Sequence, residues 1–233
     1  GSFSTGNTGN ALIFASSISD QSGKANWSGI IFERNVGQVY GNPSIQNNVE
    51  IPSNKCLYIP QGSILTIPEG VTLKNDGWIA NCGKINGALT NTGTIIVGKN
   101  GNNPGNWGGT VLSYSGGTYL NDVGIPQNIP DEATFLLPGM TQLSAGWYVV
   151  CGNVVLPKRP VVSGNVHIVL LDGYKLDAQQ GITVSDGNSL TIYGQEGGAG
   201  VLIANGQNLG AGIGGNRATD GETAGTITIF GGN

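Results

Sequence analysis

Charge is scarce in this chain: Asp, Glu, Lys and Arg together make up 10% of its 233 residues, against about a quarter in an ordinary soluble domain. Its polar surface must therefore be built from Asn, Thr, Ser, Gln and Gly, which suits an extracellular protein. Net charge is −4, and Lys158-Arg159 is the densest cationic spot. Nucleic acids and anionic membranes select clustered Lys and Arg, so neither is an expected partner. No apolar run approaches the roughly 20 residues of a membrane span, because the best stretch, Val166 to Leu171, stops at Asp172-Gly173. Helix signals are nearly missing as well; the best candidate is 131–137, one or two turns ended by Pro138.

Ligating and nucleophilic residues are few. His167 is the single histidine, and without a second His or a nearby Cys neither a zinc site nor a Ser-His-Asp triad has support. It reads as a hydrogen-bonded strand histidine. Three cysteines, Cys56, Cys82 and Cys151, cannot all pair within one chain, and their spacing fits no zinc pattern. They read as small apolar side chains buried inside the coils. A Cys56–Cys82 disulfide requires the two to stack one coil apart, which spacing alone does not establish.

What is abundant is glycine, 41 residues, without the three-residue period of collagen. Strand-sized apolar pieces such as Ile64 to Ile67, Val71 to Leu73, Ala88 to Thr90 and Thr94 to Val97 recur every several residues. Each is cut off by Gly, Pro, Asn or Asp. This punctuation predicts an all-β chain coiled as a parallel β-helix, with right-handed coils following from crossover chirality. Three short strands and their turns take about 20 residues per coil.

The first forty residues are less regular and predict an N-terminal cap, with strands at Ala11 to Ser17 and Gly29 to Glu33. Residues 99–109 are almost wholly Gly and Asn and read as a loop, and strand character returns over Thr110 to Leu120. The proline-bearing stretch 122–131 is the expected boundary, dividing the chain into 1–125, cap plus first solenoid segment, and 126–233, second segment, the alternative being one continuous solenoid. Continuous β-branched runs such as Val166 to Leu171 fit parallel strands covered on both faces. The chain opens on Gly1-Ser2 rather than Met, and is read as an excised piece with those residues a cloning remnant.

Several of these residues carry a resemblance. Ile59-Pro60 with Leu65 to Leu73, then Trp147 to Val150, Leu170 to Gly173, Leu190 to Gly194, and Gly210 to Gly215 followed by Gly225 to Ile229, resemble repeat-rich surface proteins secreted by anaerobic Gram-positive bacteria. The resemblance runs from about Trp27 onward. It implies a parallel β-helix ectodomain, an adhesin or carbohydrate-binding region, and no established catalytic residues. In such proteins the Gly210 to Gly215 type of unit repeats further, so the solenoid is expected to continue past Asn233.

For sites, the segment Gly210 to Gly215 mimics a phosphate loop, but no helix and no Lys-Ser/Thr follow. Its glycines read as corners where coils approach closely. A polysaccharide-cleaving β-helix needs carboxylates as acid and base or as calcium ligands. The nearest set is Asp172, Asp177 and Asp186 with Lys158, Arg159 and Lys175 close in sequence, and turn chemistry explains the Asp-Gly pairs equally. No catalytic residue, metal ligand or cofactor is assigned, with calcium the one cation worth testing. Sugar rings stack on aromatic side chains while amides take the hydroxyls. The candidate binding set is therefore Trp107 with Asn102, Asn103 and Asn106, and Tyr114 following; the competing reading has Trp107 folding back to plug a coil edge. Trp27, Trp78 and Trp147 read as core or cap residues.

The expected function is a non-enzymatic extracellular module of a bacterial surface protein, an adhesin or glycan-binding scaffold, with glycans or host proteins as partners. The alternatives are a β-helix polysaccharide lyase or glycoside hydrolase, and a purely structural stalk.

Overall fold

The computed structural model describes residues 11–15, 28–103, 107–207, 210–215 and 223–231, and among them there is no helix. The chain is all-β with mostly parallel sheets. It divides into two compact units, Gly1–Tyr114 and Ser115–Asn233. The stretch 122–131, expected as the boundary, lies within the second unit and contributes a strand to an antiparallel pair, Thr118–Leu120 with Pro126–Asn128.

In the first unit the chain visits three sheets in a fixed order. From Cys56–Ile59 it passes to Ile64–Thr66 and Leu73–Asn75, then repeats the circuit as Trp78–Asn81, Lys84–Asn86 and Leu89–Asn91. Each strand pairs in parallel with its counterpart one pass earlier, Cys56 with Trp78, Ile64 with Lys84, Leu73 with Leu89. Thr94–Val97 and Thr110–Ser113 extend the first sheet by two more passes. Gly29–Glu33 and Val36–Tyr40 form an antiparallel pair at its other side, joined through Arg34, which holds φ at 56°.

Period-two alternation decides what goes inside. Leu57, Ile79 and Ile95 stack in one fully buried column, and Leu65 and Ile85 in another. Truncating one of these to Ala removes apolar contact and leaves a cavity worth about 2–5 kcal/mol. Where the chain turns from the third sheet back to the first, Gly77 and Gly93 sit directly above one another. A Cβ on Gly93 would overlap the carbonyl oxygen of Gly77, and one on Gly77 would overlap that of Lys55. At these two positions glycine follows from close packing between passes, whereas Gly62 and Gly70 have open space around them and hold positive φ in turns.

In the second unit the longest strands are Gln142–Val150 and Val161–Leu170, paired in parallel across a bulge between Ser144 and Gly146. Val161–Leu170 then takes two partners on its far side, Ile182–Thr183 near one end and Ser189–Tyr193 near the other. These continue to Ile213–Gly214 and Thr226–Phe230. Val154–Leu156, Lys175–Ala178 and Val201–Ala204 make a second parallel sheet.

Three expectations change. Residues 131–137 form a turn and the short strand Thr134–Phe135, not a helix, because Phe135 pairs with Val149. The strand expected over 110–120 is two strands in different sheets. Val71 lies outside its strand, which runs Leu73–Asn75 so that Asn75 meets Asn91. Cys56, Cys82 and Cys151 form no disulfide.

Candidate functional site

The Gly/Asn loop singled out by sequence is largely absorbed by the first unit. Asn102 accepts hydrogen bonds from the Ile85 amide at 2.8 Å and the Asn81 side chain at 3.2 Å, and donates to the Ile85 carbonyl at 2.8 Å. Its amide thereby imitates a strand backbone, and neither end is left for a ligand. Trp107 is 6% exposed and belongs to the apolar core, so its indole has no open face for a sugar ring. It stands one pass beyond Asn91, whose side chain donates to the neighbouring Gly108 carbonyl at 2.8 Å. Asn103 is exposed and Tyr114 half-buried, its amide bonded to the Val97 carbonyl at 2.8 Å. Asn106 lies outside the described residues, as do Trp27 and the segment following Gly215.

Of the carboxylates expected for cleavage chemistry, Asp172 has structural work and Asp186 is exposed. Asp172 accepts the amides of Gly197 at 3.1 Å and Ala199 at 2.8 Å, closing a turn. Asp177 lies 4.0 Å from Lys175, with its Oδ1 buried and unbonded. Among the described residues no three His, Cys, Asp or Glu side chains group to hold a metal. Arg159 reaches backbone: its guanidinium donates to the carbonyls of Gln180, Ala211, Ile182, Gly214 and Gly215 at 2.7 to 3.3 Å, and to the Thr183 hydroxyl at 2.8 Å. The loop 210–215 therefore presents oxygens to a cation. A phosphate loop presents amide hydrogens, so the polarity here is the reverse.

The grouping that sequence reasoning missed is aromatic and lies in the second unit. Trp147 and His167 are in register on adjacent strands, their rings stacked with centroids 4.4 Å apart and 14° between planes. Tyr193 continues the stack, 5.3 Å from Trp147, and Phe230 lies 5.6 Å beyond Tyr193. Tyr119, carried by the antiparallel pair, crosses this stack at 44° to Trp147 and 59° to Tyr193. Such contacts contribute about 0.5–1.5 kcal/mol each beyond burial. His167 Nδ1 is 3.2 Å from the Tyr193 hydroxyl, the hydrogen-bonded strand histidine that its setting predicts. Burial holds the imidazole below its ordinary pKa and, aided by Tyr119 and Asp122, pushes the Tyr193 phenol up. The cluster is thus neutral near pH 7.

Alternation turns these rings away from the core, since Leu190 and Ile192 on the same strand are fully buried on the opposite face. In the same register Asn165, Ser189 and Thr226 form one row, and His167, Thr191 and Thr228 the next. The sequence signal was an aromatic or imidazole at an outward position in each of several passes, legible only once the passes are aligned.

No family model matches the chain, and no curated protein or solved structure does either.

Proposed function

We propose that this chain is a non-enzymatic module of a bacterial surface protein, exported from the cell, whose passes are the coils of a parallel β-helix. The observation that carries this reading is the fixed circuit through three sheets in the first unit, each strand paired in parallel with its counterpart one pass earlier. Right-handed coiling follows from the crossover preference of parallel strands. A weakly charged surface rich in Asn, Thr and Ser supports an extracellular setting, and the structural bonds of the Asp172 carboxylate favour recognition over cleavage. The module acts as an adhesin, holding a recognition face rigidly for glycans or host proteins.

The test is incubation of the purified protein with bacterial and host cells and with a panel of soluble polysaccharides. Surface retention without release of reducing ends is the expected result. Release of reducing ends would overturn it in favour of a lyase or hydrolase, and neither retention nor release would leave a structural stalk.

A further inference from the structure

We propose that residues 117–129 are a releasable strap, an antiparallel hairpin laid on the outward face of the second unit that lifts as one piece while the parallel strands beneath it stay folded, and that yields first when the chain is pulled. Alternation puts Val149, Val169 and Tyr193 in one outward row on three adjacent strands, yet they are 0, 0 and 9% exposed. The row is roofed. Tyr119 is part of that roof, its ring centroid 4.5 Å from Tyr193 and 5.1 Å from Trp147.

The roof is attached differently from the layer under it. Among the described residues Thr118–Leu120 and Pro126–Asn128 pair as strands with each other alone, whereas Val161–Leu170 is bonded to strands on both sides. Among the same residues two hydrogen bonds join the hairpin to the rest of the unit: the Leu120 amide donates to the Gly194 carbonyl at 3.0 Å, and Gln195 Nε2 to the Thr118 carbonyl at 2.9 Å. Its other bonds are internal, from the Ile129 amide to the Gly117 carbonyl and from the amides of Val123 and Ile125 to Asn121 Oδ1. The tip adds little hold, with Val123 68% and Ile125 54% exposed. Lifting thus gives up two hydrogen bonds, the ring contacts of Tyr119 and the burial of Ile129, but no rung of a parallel ladder, which makes the opening local rather than global. Position in the chain gives the release a use. The hairpin begins just past Tyr114, where the first unit ends, so tension passed from the first unit into the second meets these anchors before any parallel strand. A two-stranded hairpin is marginal alone, and once lifted it pays out up to about 45 Å of extended chain.

The experiment is residue-resolved amide hydrogen exchange of the whole chain in rising urea, repeated for Tyr119→Ala and Gln195→Glu. The Glu side chain still accepts the Asp172 amide that Gln195 Oε1 holds at 2.8 Å, but cannot donate to Thr118. The Leu120 and Ile129 amides are expected to exchange tenfold or more faster than those of Ile168 and Val169, at rates almost independent of urea. Tyr119→Ala is expected to speed the first pair a further tenfold and Gln195→Glu several-fold, with the second pair unchanged, which separates a loosened strap from a damaged fold. One common rate for all four amides, or variants that accelerate all four or none, would overturn the strap. Pulling the chain by its ends is expected to give a low-force lengthening of up to about 45 Å ahead of the main unfolding, missing in Tyr119→Ala; its absence from the parent would overturn the role under load. Neither readout involves a ligand, so the strap stands or falls apart from the cell retention that tests the adhesin reading.

Discussion

The side-chain amide of Asn75 donates to Oδ1 of Asn91 at 2.7 Å, linking two consecutive passes through the interior of the first unit. Asn91 hands the chain of bonds on to the Gly108 carbonyl. The row begins at Asn75 because Ile51, in register one pass earlier, has no donor, and Asn75 Oδ1 is left without a partner. Asn91→Ala therefore leaves the Asn75 amide only its longer bond to the Thr94 carbonyl, at 3.3 Å, and strands the Gly108 carbonyl. An unsatisfied buried group costs about 1–3 kcal/mol. Urea unfolding is expected to show a loss of that order, against almost none for the exposed Thr90→Ala on the same strand.

Arg159 ties the segment 180–183 to the loop 211–215 through six oxygen acceptors. Arg159→Ala removes every donor at once, and Arg159→Lys restores the charge without the planar fork. Hydrogen exchange at 211–215 is expected to accelerate strongly in the Ala variant and partly in the Lys variant. Free guanidinium at low millimolar concentration is expected to slow it again in the Ala variant; equal exchange in all three proteins would refute the clamp.

The thiols give the fold a high-pH limit. Burial pushes Cys56 up to about 12, and Cys82 and Cys151 up to about 11. A thiol's ordinary value is 9.0, so above that pH the unfolded chain sheds protons that the folded chain keeps. Stability contributed by these groups is complete below pH 9 and falls as pH rises toward 11 and 12, by up to about 1.4 kcal/mol per pH unit for each thiol. Denaturation midpoints at pH 8, 9 and 10 check the sign, and Cys56→Ala is expected to flatten the decline. At pH 8 the native protein is expected to resist iodoacetamide.

Register in the third sheet can be read by cross-linking. Lys74 and Thr90 are outward and directly paired on parallel strands, about 4.8 Å apart at Cα, inside the disulfide window. Lys74→Cys with Thr90→Cys is expected to oxidise within one chain, whereas Lys74→Cys with Thr92→Cys, displaced by two residues, is expected to stay reduced. Efficient cross-linking of the displaced pair would place the strands in another register.

Much of the strand content was legible, because apolar triads closed by glycine or asparagine state their own ends. Thr94–Val97 and Gly29–Glu33 fall where the pattern puts them. The helical turn at 131–137 was misread because its local composition is neutral and pairing with Val149 decides it. Trp107 offered no local sign of its direction: a Gly/Asn loop allows an indole to point either way, and the open place beyond Asn91 in the core draws it in. Five of the six acceptors described around Arg159 are backbone carbonyls, which every residue has, so no residue type announces them.

The sequence by itself determined the all-β class, the near absence of helix, the places where strands break, and the lack of clustered cationic charge. These follow from side-chain alternation, from φ freedom at glycine and from composition, all properties of a residue and its close neighbours. Only the tertiary structure decided which residue stands above which. The chain between stacked positions varies from 14 residues for Phe135 and Val149 to 37 for Ser189 and Thr226, because corner lengths are free while strand pairing is not. The asparagine row, the arginine clamp and the stack of Trp147, His167, Tyr193 and Phe230 therefore come into being only when hydrogen bonds between passes set the register.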